Sequence, residues 1–184
     1  MLSSPVRRGT PALAFCLGLV TGGAITAAVL VVLGSLVRAP LPGPARWAAV
    51  AAAAVAVLLK EARIARFGLP EARRLVPESV FRLGRHLGPL AFGVEMGTGA
   101  RTYLPSALPY GAAVAVLLLA SPAAALGAGA GFGVGRALMT MSNLRYGPDD
   151  DWDEQWLRHR RQLAWMLALA FTAALVAVIV AAAR

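Results

Sequence analysis

The 184-residue chain has one cysteine, one lysine and two histidines. A single cysteine, Cys16, excludes an intrachain disulfide. It also excludes a thiol relay run by this chain unaided, because such a relay needs two thiols that can pair. Cys16 stands between Phe15 and Leu17 and reads as a small buried hydrophobe. His86 and His159 each lack a second ligand at helical spacing, so no metal is expected. No Gly-Lys-Ser/Thr follows the glycine-rich stretches, which argues against a phosphate-cradling loop. No nucleophile, base and orienting group stand in a recognisable set. The expectation is a non-enzyme with no catalytic residues and no cofactor. Charge is scarce as well, at 15% of residues, against about 25% in an ordinary soluble domain.

What is there instead is apolar. Hydrophobic residues make up 58% of the chain and its mean hydropathy is +0.66. That composition disfavours a soluble enzyme, a secreted disulfide scaffold and a disordered protein. The 18 basic residues are 17 arginines and Lys60, a bias that with abundant alanine and glycine suggests a GC-rich bacterial genome. The fold class expected is all-α, a polytopic membrane protein with about five transmembrane helices in one integral membrane domain over 1–184.

The hydrocarbon core of a bilayer needs roughly 20 apolar helical residues. Spans are expected near 12–37, 44–60, 87–120 (broken near 97–109), 123–141 and 162–183. Residues 9–37 carry no charge, too long a stretch for a signal-peptide core, and Val37-Arg38 is a poor cleavage site. Pro40, Pro42 and Pro44 make a turn, and Pro44 suits the first turn of the second span. That span is short, from Trp47 to Leu59, with Arg46 and Lys60 placed to snorkel. The segments 61–86 and 142–161 hold most of the bases and read as cytoplasmic. In the first of them the pattern predicts a helical extension of span two. A short amphipathic helix interrupted at Pro77 should follow. The acids at 149–151, 153 and 154 read as the start of a helix, with Trp152, Trp156 and Trp165 as an interfacial anchor.

The distribution of bases places the N-terminus in the cytoplasm and the C-terminus outside, in a bacterial inner membrane. It accounts for most of the net charge of +9 without nucleic acid. The partners expected are the lipid bilayer and a second copy or other membrane subunits. Gly127, Gly131 and Gly135 form a Gly-xxx-Gly-xxx-Gly stripe, interleaved with Gly129 and Gly133, that reads as a helix-packing face, within the chain or between copies.

An internal repeat is suggested at an offset of 77. Leu13-Ala14-Phe15 falls on Leu90-Ala91-Phe92, Thr21-Gly22 on Thr98-Gly99 and Gly34 on Gly111. Transporters are often built from such repeats, with sites where broken helices meet. The stretch from Phe92 to Tyr110 is dense in glycine and proline: Gly93, Gly97, Gly99, Pro105 and Pro109. Such a stretch weakens a helix, and broken backbone at membrane depth has to be buried in protein or face water. It also carries Glu95 and Arg101 among the hydroxyls of Thr98, Thr102, Tyr103 and Ser106. Ionisable groups inside a membrane mark functional sites. Glu95, Thr98, Arg101, Thr102 and Tyr103 are therefore the candidate substrate- or ion-binding residues. Their bland alternative is an interfacial acid and base with glycines for packing.

A glycine- and proline-broken helix near the start of a repeat, over residues 12–37 and 87–141, resembles the cytochrome c biogenesis and disulfide-reductase membrane domains. The resemblance implies a related architecture. It does not extend to their redox chemistry, since Cys16 is not followed by proline and Gly93 takes the matching position in the second copy. The two three-helix repeats usual in that family are also incomplete here. Three functions stay open: transport of a small solute or ion by an oligomer, a non-catalytic subunit or scaffold of a larger membrane assembly, and an enzyme holding a lipid phosphate at an arginine-rich interface.

Overall fold

The computed structural model describes residues 9–69, 78–99, 104, 106–145 and 152–183. They form six α-helices and a short 3₁₀ helix: α1 Thr10–Arg38, α2 Gly43–Glu61, the 3₁₀ turn Glu78–Leu83, α3 Leu87–Gly97, α4 Leu108–Leu119, α5 Pro122–Arg145 and α6 Trp152–Ala183. No strand occurs among the described residues. Proline opens α1, α2 and α4 in the first turn, where its missing N–H has no helical partner to lose.

The long helix α1, 29 residues and about 44 Å, is the axis of the bundle. α3 packs along its first half in the same direction, and α5 runs antiparallel against it. Glycine makes both contacts possible. A methyl built on Gly18 would lie 2.2 Å from the Leu90 carbonyl oxygen, and one on Gly22 would lie 2.3 Å from that of Val94. From the other side, Gly93 and Gly97 meet the carbonyls of Phe15 and Leu19, each at 2.3 Å. Phe15 and Phe92 stack across the seam with ring centroids 5.6 Å apart. Leu19, 1% exposed, sits with Ala12, Phe15 and Ala137 at the centre of this core, and Cys16, Phe92, Met96 and Met141 pack around it.

Within this chain α5 packs on α1 through the two interleaved glycines and not through the Gly127, Gly131 and Gly135 stripe. Gly129 and Gly133 meet the backbone of α1 at Gly23 and Leu19, whereas methyls on Gly127, Gly131 and Gly135 would have nothing of this chain within 4 Å. The two sets are offset by two residues, about 200° around a helix, so they occupy opposite faces. Both satisfy the same spacing. The face turned to α1 is continued by Ala125 and Ala137, both buried, while Val134 and Leu138 flank the other and are exposed.

A second core joins α2, α4 and α6. Val57, Ala107 and Leu108 are buried there, with Leu58, Leu69 and Phe171 against them. α2 does not extend beyond Glu61 as a helix. It closes with the Ile64 N–H on the Leu59 carbonyl and the Arg63 N–H on that of Lys60, with Arg63 at φ 59°. This is a Schellman closure carried by arginine where glycine is usual. Lys60 turns back over the Phe67 ring, 4.8 Å from its centroid, and donates to the Phe67 carbonyl.

α1, α2 and residues 157–180 of α6 are long and apolar enough to cross a membrane. Little of that α6 stretch is buried, so apart from Ala168 and Phe171 its apolar character does not serve a core. Leu13, Leu17, Val32 and Leu36 on α1 and Leu167 and Leu169 on α6 likewise point away from the protein. An apolar surface of that extent belongs in lipid.

Candidate polar site at a helix break

α3 lies against residues 15–22 of α1, and the last turn of α4 reaches Gly34 and Arg38. The two short helices therefore follow one another along α1, with residues 98–107 between them. α3 stops because Gly99 takes φ 69°, a conformation that costs glycine little, and its N–H closes on the Met96 carbonyl. The Thr98 N–H closes on the Val94 carbonyl. Thr98 Oγ1 donates to the Glu95 carbonyl at 2.8 Å, and Thr26 Oγ1 of α1 donates to the Thr98 carbonyl at 3.0 Å. From α5, the Phe132 ring comes within 3.5 Å of where a Gly99 methyl would sit, with the Arg136 guanidinium 5.7 Å from that ring's centroid. The end of α3 is thus pinned by one neighbouring helix and covered by another.

The far side of the break is held differently. Glu61 Oε1, half-buried at the end of α2, accepts the Ser106 hydroxyl at 2.8 Å and the Ala107 N–H at 2.5 Å. Ser106 Oγ in turn accepts the Leu108 N–H at 3.2 Å. A carboxylate here satisfies orphan amides and complements the positive end of the helix dipole. The opposite end of α4 is held by a cation. Arg38 donates from Nε to the Leu117 carbonyl at 2.9 Å and from Nη1 to that of Ala120 at 2.8 Å. Its Nη2 is buried beside Gly34 and has no hydrogen-bond partner. Arg46 closes the end of α1, donating to the carbonyls of Arg38 and Leu41. α4 carries no charge of its own, yet an acid and a base from other helices sit at its two ends, about 18 Å apart.

Of the residues the sequence marks, the structure puts Glu95 and Thr98 together on the last turn of α3, both half-buried. Arg101, Thr102 and Tyr103 lie outside the described residues, as do the acids at 149–151. Glu61, in the segment 61–86 read as cytoplasmic, and Arg38, one of the bases whose distribution sets the expected orientation, are site residues that the sequence does not single out. A signal for both was present, in that an uncharged helix of 12 residues needs partners for its free ends. Among the described residues, no three His, Cys, Asp or Glu side chains come together as a metal cluster. Comparisons with protein-family models, curated proteins and solved structures give no match.

Proposed function

We propose that the chain is a transporter component of a bacterial inner membrane, working as an oligomer and moving a small ion or solute through the break between α3 and α4. One observation carries this reading: two short helices lie end to end along a full-length helix, and the described residues between them, 98, 99, 104, 106 and 107, are non-helical. In lipid such backbone needs protein or water around it, and transporter sites recur at discontinuous helices of this kind. At 11 and 12 residues, α3 and α4 together measure about 34 Å, enough for one crossing of a core of about 30 Å. With α1, α2, α5 and α6 that makes five crossings, the N-terminus inside and the C-terminus outside. The repeat at an offset of 77 and the likeness to biogenesis domains support the architecture and leave the redox chemistry aside.

The electrostatics favour a cation. The negative end of the α3 dipole, with Glu95 on its last turn, lies on one side of the break, and Glu61 offsets the positive end of α4 on the other. In proteoliposomes under an imposed potential, Glu95→Gln and Arg101→Ala should each lower proton or sodium flux by about tenfold or more while the protein still folds. Flux at the level of the unsubstituted chain in both variants overturns the reading.

The scaffold reading is favoured by one feature, the open glycine face of α5 at Gly127, Gly131 and Gly135. Gly131→Leu should leave the lone chain folded, since it meets none of its own atoms, and should remove a co-purifying membrane partner. Purification of the unsubstituted protein as a monodisperse single chain rules this reading out.

A further inference from the structure

We propose that the charged end of α2, residues 60–66, lies deep in the membrane and lines a water-filled vestibule. The vestibule opens toward the N-terminal end of α1 and leads to the break. It rests on the membrane reading of the proposed function and adds the side from which water and solute reach the break.

Two rulers place the end of α2. α1 and α2 form a hairpin closed over 39–42, with 29 residues in one arm and 19 in the other. At the helical rise, the second arm stops about 15 Å short of the level at which α1 begins, and tilting α2 shortens its reach further. α4 gives an independent measure. Its Leu117 meets Gly34 of α1, and Ala107, which donates to Glu61, lies about 15 Å back along it. Both rulers put Glu61 well short of the α1 start, the second of them close to the middle of α1. The chain does not descend from there at once, because Leu69 returns to pack against Val57, Ala107 and Leu108. Arg63 and Arg66 are thereby kept near this level, and both are exposed.

Lipid extends past that level on other faces of the bundle. Leu17 of α1 is 63% exposed. Val134 of α5, next to the Gly133 that meets Leu19, is 46% exposed. By helical rise both lie roughly 5–10 Å nearer the α1 start than Glu61 does. Exposed guanidinium groups and non-helical backbone are costly in hydrocarbon at such a depth. Water beneath the end of α2 removes the cost, and α2 and α4 stopping at one level leaves the space for it. Lys60 turns back to Phe67 and Glu61 holds the first turn of α4, so the vestibule reaches the break at this side chain.

The test is nitroxide accessibility of the full chain in phospholipid nanodiscs. Ile64→Cys, Arg66→Cys, Leu17→Cys and Val134→Cys are each made in a Cys16→Ala background and spin-labelled. The ratio of collisions with a water-soluble nickel chelate to collisions with oxygen should be about tenfold higher at 64 and 66 than at 17 and 134. Ile64→Cys removes no charge, and Ile64 is 73% exposed, so it reports on the vestibule even where Arg66→Cys fails to fold. Lipid-like ratios at 64 and 66 overturn the vestibule. Water-like ratios at 17 and 134 overturn it as well, because they put the end of α2 at the membrane surface. No flux enters the measurement. Intact flux in the Glu95 and Arg101 variants therefore refutes the transporter reading while leaving the accessibility result to stand, and the converse holds too.

Discussion

Gly22→Leu is expected to separate α3 from α1 and to cost the bundle about 3 kcal/mol or more. Even a methyl at this position meets the Val94 carbonyl oxygen at 2.3 Å and the Gly97 Cα at 2.9 Å. Both are main-chain atoms of a helix, so no rotamer change relieves the clash. The neighbouring positions close off the other escape. Gly18, Gly93 and Gly97 touch backbone in the same seam, and sliding α3 by a residue brings Val94 or Met96 against α1 instead. The Phe15–Phe92 stack and the bond from Thr26 to Thr98 go with the seam. Thermal unfolding in detergent, followed by size exclusion, reads the loss. Gly131→Leu on α5 is the control, because it adds the same bulk facing open space. Equal stability of the two variants would contradict the packing described.

Arg38→Ala comes next in size. It leaves the carbonyls of Leu117 and Ala120 without their donors at the closed end of an apolar helix, for a loss of about 2–3 kcal/mol. That corresponds to a fall of roughly 5–10 °C in melting temperature for a chain of this length. Arg38→Lys should recover only part of it, since a single ammonium does not reproduce a planar fork that reaches two carbonyls. It would also vacate the space beside Gly34, now filled by Nη2. Full recovery by lysine would mean that charge alone holds α4, and geometry would drop out of the account. An unchanged melting temperature in Arg38→Ala would remove the cap altogether.

Some of this was open to reading in the sequence. α1 follows from 29 uncharged residues, and the break follows from the glycine and proline density after Phe92. Those are local signals, written in consecutive residues. The packing phase of α5 is not local. Gly127-131-135 and Gly129-133 have identical spacing, and only the partner chosen by α1 separates them. The end of α2 was hidden for another reason: Arg63 takes a left-handed turn that sequence rules reserve for glycine, so a helical extension looked natural. The roles of Glu61 and Arg38 at the ends of α4 are not legible because their bonds reach 46 and 79 positions along the chain. A charge at the edge of a span looks the same whether it faces headgroups or another helix's unfinished backbone.

The central place of α1 also sets a clock on synthesis. It is made before the other five α-helices, yet the faces that fit its glycines belong to helices translated much later. At about 5–20 residues per second, Gly133 follows Leu19 by roughly ten seconds. During that interval the small-residue grooves of α1 stand open to whatever lipid or neighbouring helix fills them. The nascent chain must therefore exchange a temporary companion for its permanent ones before the bundle is complete.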